Sequence, residues 1–304
     1  MSQYFDNKDL FLSPKTTQYG SHMVMTNVHK ETKKKYVNID TRFRDDYSYS
    51  QLANYTITLP ERITDAKSIY ITNVEIPDVL YNVSAVQKNS SLVITNIGNN
   101  NKYTITVPDN RYTTIGALHS ALNTQFSYID PSINVFLDLS NNKTRIKSTR
   151  NTYTINFAVD TSGNFDKSLL NSKLGWILGF RNINYTVNSS GITAEALPDT
   201  FGTKYLYLAI DEFSNGNQRS FISPLPNSLI NKNIAARISI DSIAFGFNNL
   251  ITANRANGTM VSDKREYTGK IDLQRLNVQV LNEYGNPVSL NGLDFSFCME
   301  VEHE

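Results

Sequence analysis

Apolar and polar residues alternate along most of this chain, and one segment breaks the rhythm. The alternation is clearest near the end. From Ile271, apolar residues recur at Leu273, Leu276, Val278 and Val280. The step of three from Leu273 to Leu276 departs from a period of two and predicts a bulge near Gln274-Arg275. Glu283-Tyr284-Gly285-Asn286-Pro287 reads as a turn, because Gly285 can take a positive φ and Pro287 cannot continue a central strand. A second alternation puts Leu293, Phe295, Phe297 and Met299 on one face, with Asp294, Ser296, Cys298 and Glu300 on the other. Two long strands with one apolar face need a sheet to pair with and a core to cover.

The same period predicts strands over 36–40, over 55–59 up to Pro60, over 66–76 up to Pro77, over 91–95 and over 103–107. Gly98-Asn99-Asn100-Asn101 marks a turn. Then the spacing changes. Ile115, Leu118, Leu122 and Phe126 recur at steps of three and four, after Thr113 or Thr114 as cap, which predicts a helix of about three turns. Strands follow over 134–139, 144–148 and 153–159, with a turn at Asn141-Asn142 and a short helix over 166–170. Residues 186–204 read as loop, 205–210 and 235–244 as strands, and 248–264 as a polar connection. A strand, a helix and more strands make a small α+β layer, so 100–185 reads as an insertion in a larger β framework. Segments 36–96 and 200–304 must then pair with each other, since each alone has too few strands to close a core.

Residues 1–35 show neither period, yet they carry Tyr4, Phe5, Leu10, Phe11, Leu12, Met23 and Met25. They read either as a disordered terminus or as an arm that orders on a neighbouring subunit, with these side chains as partner-binding anchors. Lys30, Lys33, Lys34 and Lys35 end the stretch and read as a solvated edge rather than a nucleic-acid patch.

Length and composition narrow the function. A chain of 304 residues can bury a full core, and its single Cys298 rules out an intrachain disulfide. A net charge of +1 gives no global field for nucleic acid or for basic partners. No stretch approaches the roughly 18–20 apolar residues of a membrane span, and the first residues lack the pattern of a signal peptide. His22, His29, His119 and His303 are scattered, and no zinc-ligand spacing, phosphate loop or dinucleotide motif occurs, so neither a metal nor a cofactor is expected. Asp211-Glu212 after a strand is the candidate acid pair for a hydrolase, and reads more simply as solvated. Glu300, Glu302 and Glu304 near His303 are a candidate cation site, or a charged edge that discourages strand pairing. Lys143, Arg145, Lys147 and Arg150 are a candidate basic stripe, or an exposed strand face.

Several segments carry a resemblance. Gly269-Lys270-Ile271-Asp272-Leu273-x-Arg275-Leu276, then Gly292-Leu293-Asp294-Phe295-Ser296-Phe297, resemble the end of a family of minor capsid or penton-type virion proteins from large icosahedral DNA viruses. Tyr36-Val37-Asn38-Ile39-Asp40-Thr41-Arg42-Phe43-Arg44-Asp45, Tyr55-Thr56-Ile57-Thr58-Leu59-Pro60, Val74-Glu75-Ile76-Pro77-Asp78-Val79-Leu80-Tyr81-Asn82-Val83 and Leu174-Gly175-Trp176-Ile177-Leu178-Gly179-Phe180 resemble it in the same order. The resemblance implies a jelly-roll-like β-sandwich and a structural role in the capsid. It implies assembly in the host cytoplasm, with the major capsid protein, other minor capsid proteins or further copies of the chain as partners. It implies no enzyme, no direct nucleic-acid contact and no membrane span. Two rivals remain at this point. One is a carbohydrate- or receptor-binding β-sandwich of a virion, with Tyr205, Tyr207 and Trp176 as exposed aromatics on a concave sheet face. The other is a β-sandwich glycosidase using Asp211 or Glu212.

Overall fold

A computed structural model describes residues 31–46, 52–167, 169–213, 233–240 and 246–304. Among these the chain is mainly β, with curled antiparallel sheets in a jelly-roll-like sandwich. The large sheet is 8-stranded and draws on both ends of the chain. Its strands are β1 (Lys33–Asp40), β2 (Asn54–Pro77), β10 (Tyr205–Asp211), β11 (Ile234–Ser239), β12 (Leu250–Asn254), β13 (Met260–Ser262), β14 (Arg265–Leu281) and β15 (Ser296–His303). The order is β1-β15-β2-β14-β10-β11-β13, and β12 also pairs with β2. Although β13 lies at the far end of that order, Ser262 Oγ donates to Ile71 O of β2 at 2.8 Å. The sheet therefore curls back on itself. Inside it lie Ile57, Ile69, Ile71, Val74, Leu206, Leu208, Leu276, Val278, Phe297 and Met299, all in one buried cluster.

Strand β2 differs from expectation. The segments 55–59 and 66–76 are one 24-residue strand that runs through Pro60. Pro60 is tolerated because it falls in a gap in the β14 ladder: Thr58 faces Arg275, and the next aligned pair is Ile63 with Leu273. The same register shift sets the bulge expected beside Gln274-Arg275. Ahead of Gly285, at φ 76°, β14 ends in the expected turn. β12 and β13, in a segment read as polar connection, are short strands whose alternation is hidden among Asn and Thr.

A second buried cluster is built from residues between Val83 and Ala194. One 4-stranded sheet, β4-β3-β7-β8, comprises β3 (Ser91–Asn96), β4 (Lys102–Thr106), β7 (Tyr153–Asn156) and β8 (Asn184–Val187). A 3-stranded sheet, β5-β6-β9, comprises β5 (Ile133–Asp138), β6 (Lys143–Ser148) and β9 (Ile192–Thr193). The expectation that 36–96 pairs with 200–304 holds for β1 and β2 but not for β3, which pairs with β4 and β7. Helix α1 (Ile115–Ser127) packs Leu118, Leu122 and Phe126 into this core. Thr114 is its cap and accepts from the Ala117 amide. The short helix expected over 166–170 lies later in the chain, as a 3₁₀ turn at Leu170–Ser172 and α2 (Leu174–Ile177).

Candidate functional site

Segments from the two ends of the described chain meet at one corner. Asp40 closes β1 and caps the 3₁₀ turn Thr41–Phe43. The Arg42 guanidinium, 2.6 Å away, holds the Asp40 carboxyl below the usual carboxylate range. Thr41 is buried; its Oγ1 accepts from the Phe295 amide at 3.0 Å and donates to Asp294 Oδ1 at 2.9 Å. Arg44 forms an ion pair with Asp294, donates to Thr41 O at 2.8 Å, and lies over the Tyr55 ring at 4.4 Å. Asp45 accepts from the Thr58 amide and hydroxyl at 2.8 and 2.7 Å. These contacts lock β1, β2 and β15 together and leave Phe43 and Tyr36 outside, 75% and 64% exposed. The corner presents shape and aromatic surface rather than a reactive group.

A cleft of about 680 Å³ opens where the two cores meet. The Glu283–Pro287 turn and Tyr205 form one wall; Leu169, Asn171, Trp176 and Ile177 form the other. Tyr284 Oη donates to Asn171 O at 2.9 Å and ties the walls together. Burial pushes the Glu283 carboxyl above its ordinary range, against the pull of Lys204 and a Thr203 hydrogen bond. Burial likewise pushes the Tyr284 phenol up to about 12. Arg181 lies over the Trp176 ring at 3.9 Å and Arg237 over the Tyr205 ring at 4.2 Å.

The residues singled out from sequence are placed as follows. Tyr4, Phe5, Leu10, Phe11, Leu12, Met23 and Met25 lie outside the described residues. Trp176 and Tyr205 come together at the cleft; they do not share a concave sheet face, and Tyr207 is buried in a small cluster with Ala209, Ile234 and Leu281. Glu212 is not solvated. It is buried against Arg265 at 2.7 Å and accepts from Tyr267 Oη at 2.5 Å, both on Oε1, in a structural ion pair. Asp211 accepts from the Phe213 amide at 2.8 Å. Glu300, Glu302 and Glu304 do not converge on a cation site: each meets a lysine, Lys34 at 2.7 Å, Lys264 at 2.5 Å and Lys270 at 2.5 Å respectively. Lys35 pairs with Glu61 at 2.9 Å, so the basic end of the first segment is an ion-paired strand edge. In the basic stripe, Lys143 Nζ donates to Glu195 O and Arg145 to Ser190 O, bracing the chain on either side of β9. His119 is buried in α1, and Cys298 is free on the half-buried face of β15. Among the described residues no group of His, Cys, Asp or Glu could hold a metal, and no helix is long and apolar enough to cross a membrane.

Sequence reading missed the Arg265–Glu212–Tyr267 cluster and the cleft. The first had a signal: Leu206, Leu208, Ile210 and Glu212 share one parity, so Glu212 continues the inward face of β10. The cleft had none, because its walls come from segments over a hundred residues apart, as the Tyr284–Asn171 contact records.

Neither a protein-family model nor a characterised protein matches the sequence. Among solved structures, the selenomethionine-labelled mavirus penton protein is similar over 90% of this chain and 100% of that one, at 10% sequence identity and a TM-score of 0.41.

Proposed function

We propose that the chain is a structural virion protein, a minor capsid or penton component of a large icosahedral DNA virus. It binds neighbouring capsid proteins, the major capsid protein among them, and stabilises the shell. The observation that carries this reading is the meeting of five of the six resembling segments: 36–45, 55–60, 74–83, 269–276 and 292–297 are scattered in sequence, yet four adjacent strands of one curled sheet, β1-β15-β2-β14, hold most of their residues, while the sixth, 174–180, lies in the second core. A rigid corner with exposed aromatics suits a partner surface, where Tyr, Phe and Arg are enriched. The role is binding rather than catalysis, its place is the virion capsid, and assembly occurs in the host cytoplasm.

The division that goes with this reading is an arm over 1–35 and a capsid-type domain over 36–304, with 100–185 as its insertion. The arm would anchor through Tyr4, Phe5, Leu10, Phe11, Leu12, Met23 and Met25. Each side chain buried on a neighbour contributes roughly 1.5–3 kcal/mol. Ordering costs roughly 1–2 kcal/mol per residue, so only densely anchored stretches such as 4–12 can bind this way. The test is quantitative mass spectrometry of purified particles made with the full chain and with residues 1–30 deleted. A fixed copy number for the full chain, and its loss on deletion, is expected. Particles that lack the full chain would overturn the capsid role. Equal incorporation of both forms would overturn the arm.

A further inference from the structure

The outer edge of β1 is built to take another strand. We propose that it pairs antiparallel with β1 of a second copy of the chain, so that two large sheets join across a two-fold axis.

Backbone geometry leaves this edge open. The Thr41 amide donates to Phe295 O at 3.0 Å, so the odd-numbered residues of β1 turn their N–H and C=O groups towards β15. Lys34, Tyr36, Asn38 and Asp40 turn theirs the other way, where among the described residues these groups meet no partner. Two other edge strands are capped by side chains. Asn123 accepts from the Val135 amide of β5 at 2.7 Å and donates to its carbonyl at 2.8 Å. Asn257 donates to Thr252 O of β12 at 2.7 Å. The edge strands β9 and β13 have only 2 and 3 residues. β1 runs for 8 residues, long enough to template a partner.

Charge selects which strand fits. β1 reads Lys33-Lys34-Lys35-Tyr36-Val37-Asn38-Ile39-Asp40, cationic at its start and anionic at its end. A parallel copy would set lysine against lysine. An antiparallel copy centred on Val37 sets Lys34 opposite Asp40 and Tyr36 opposite Asn38, and these are the residues whose backbone groups are open. Lys34 already meets Glu300 at 2.7 Å, and Asp40 meets Arg42 at 2.6 Å. The junction therefore continues one row of alternating sign, Glu300, Lys34, Asp40 and Arg42, with the last two from the second copy. Lysines often guard an edge by repulsion. Here the sheet itself offsets them, since Lys35 also meets Glu61, at 2.9 Å. On the opposite face Val37, half-buried against the core, meets Val37 of the second copy.

The proposal does not rest on the capsid role, and its test uses purified full-length chain rather than particles. Sedimentation velocity over a concentration series should show wild type passing from monomer to dimer, a weak dimer because two strand edges bury little area. Asn38→Pro removes one outward N–H and leaves the β15 ladder its bonds. It should be monomeric, with an unchanged thermal transition. Lys34→Glu sets like charges opposite each other twice across the axis and should weaken the dimer by about tenfold. Val37→Cys in a Cys298→Ser background reads the register, and does so whether or not Asn38→Pro folds. It should give a disulfide-linked dimer under mild oxidation, while Tyr36→Cys in the same background, displaced from its own copy along the strand, should not. Wild type that stays monomeric throughout would overturn the proposal. So would a dimer that folded Asn38→Pro retains, or one that Val37→Cys does not link.

Discussion

The two cores of this protein draw on the chain in opposite ways. The large sheet joins residues from its far ends: Lys33 faces His303, Tyr36 faces Glu300, and Asn54 faces Gln279. In the second core, Ser91 faces Thr106, Ile133 faces Ser148, and α1 packs on the strand that follows it. Closing a long loop costs entropy before any contact repays it, so the large sheet forms only when both ends are present, whereas the second core has local routes to its contacts. What stabilises the one need not stabilise the other.

Matched core truncations would break or sharpen this contrast. Phe297 and Leu122 are both fully buried, one in each core. Phe297→Ala should cost about 3–5 kcal/mol and Leu122→Ala about 2–5 kcal/mol. The single tryptophan, Trp176, sits in α2 beside the second core, so its fluorescence reports there while far-UV circular dichroism is weighted to the large sheet. In urea, Phe297→Ala should pull the dichroism transition below the fluorescence transition, and Leu122→Ala the reverse. Coincident, equally shifted transitions would mean that the cores unfold as one.

Among the described residues, each core also buries a cation. Arg265 lies against Glu212, with side-chain exposures of 3% and 0%. Lys173, at 1%, lies against Asp166, at 15%. Arg265→Met would strand the Glu212 charge in the interior and should cost about 3 kcal/mol or more, much of it recovered by adding Glu212→Leu. Lys173→Met should cost about 1–2 kcal/mol, because Asp166 keeps access to water. Urea midpoints of the three variants would reveal whether the large sheet depends more on its pair.

The same contrast separates what the sequence discloses from what it hides. Helix α1 was legible because Ile115, Leu118, Leu122 and Phe126 report to each other within one turn of helix. The turn at Asn142, with φ 55°, and the break between Leu273 and Arg275 were legible for the same local reason. The C-terminal alternation named the inward face of β15 through Phe295, Phe297 and Met299, but not Leu293, which precedes the strand and is exposed. Partners were not legible. Nothing near Ser91 says that β3 joins β4 and β7 rather than β2, since alternation fixes a face but not a neighbour. Glu212 looked solvated because its counter-charge lies 53 residues away at Arg265. The cleft needs Asn171, Trp176, Tyr205 and Glu283 at once, and only the closed sheet brings them together.

Acid gives the most selective way to tell the cores apart. His119 sits on the buried face of α1, where burial lowers its pKa from 6.5 to about 4, and its Nε2 lies 3.2 Å from Thr144 Oγ1. As pH falls from 6.5 towards 4, the unfolded chain takes up a proton that the folded chain refuses. The unfolded state binds more protons in that window, so stability falls with acidification, and the full effect is on the order of 3 kcal/mol. Asp130, in the same core, does not interfere. Burial raises its pKa, but hydrogen bonds from Tyr153, Ser132 and Asn151 win and bring it to about 2. The carboxylates along the first-core edge, Asp40, Glu61 and Glu300, are also held below their ordinary values, so their own loss of stability begins only at the acid end of the window, where the unfolded chain starts to protonate them. Between pH 6.5 and 4 the Trp176 transition should therefore move to lower urea while the dichroism transition lags behind it. His119→Gln, which keeps a polar atom near Thr144 and cannot titrate, should flatten the fluorescence slope. If that variant kept the wild-type slope, the acid response would belong to another group, and pH would no longer distinguish the second core from the first.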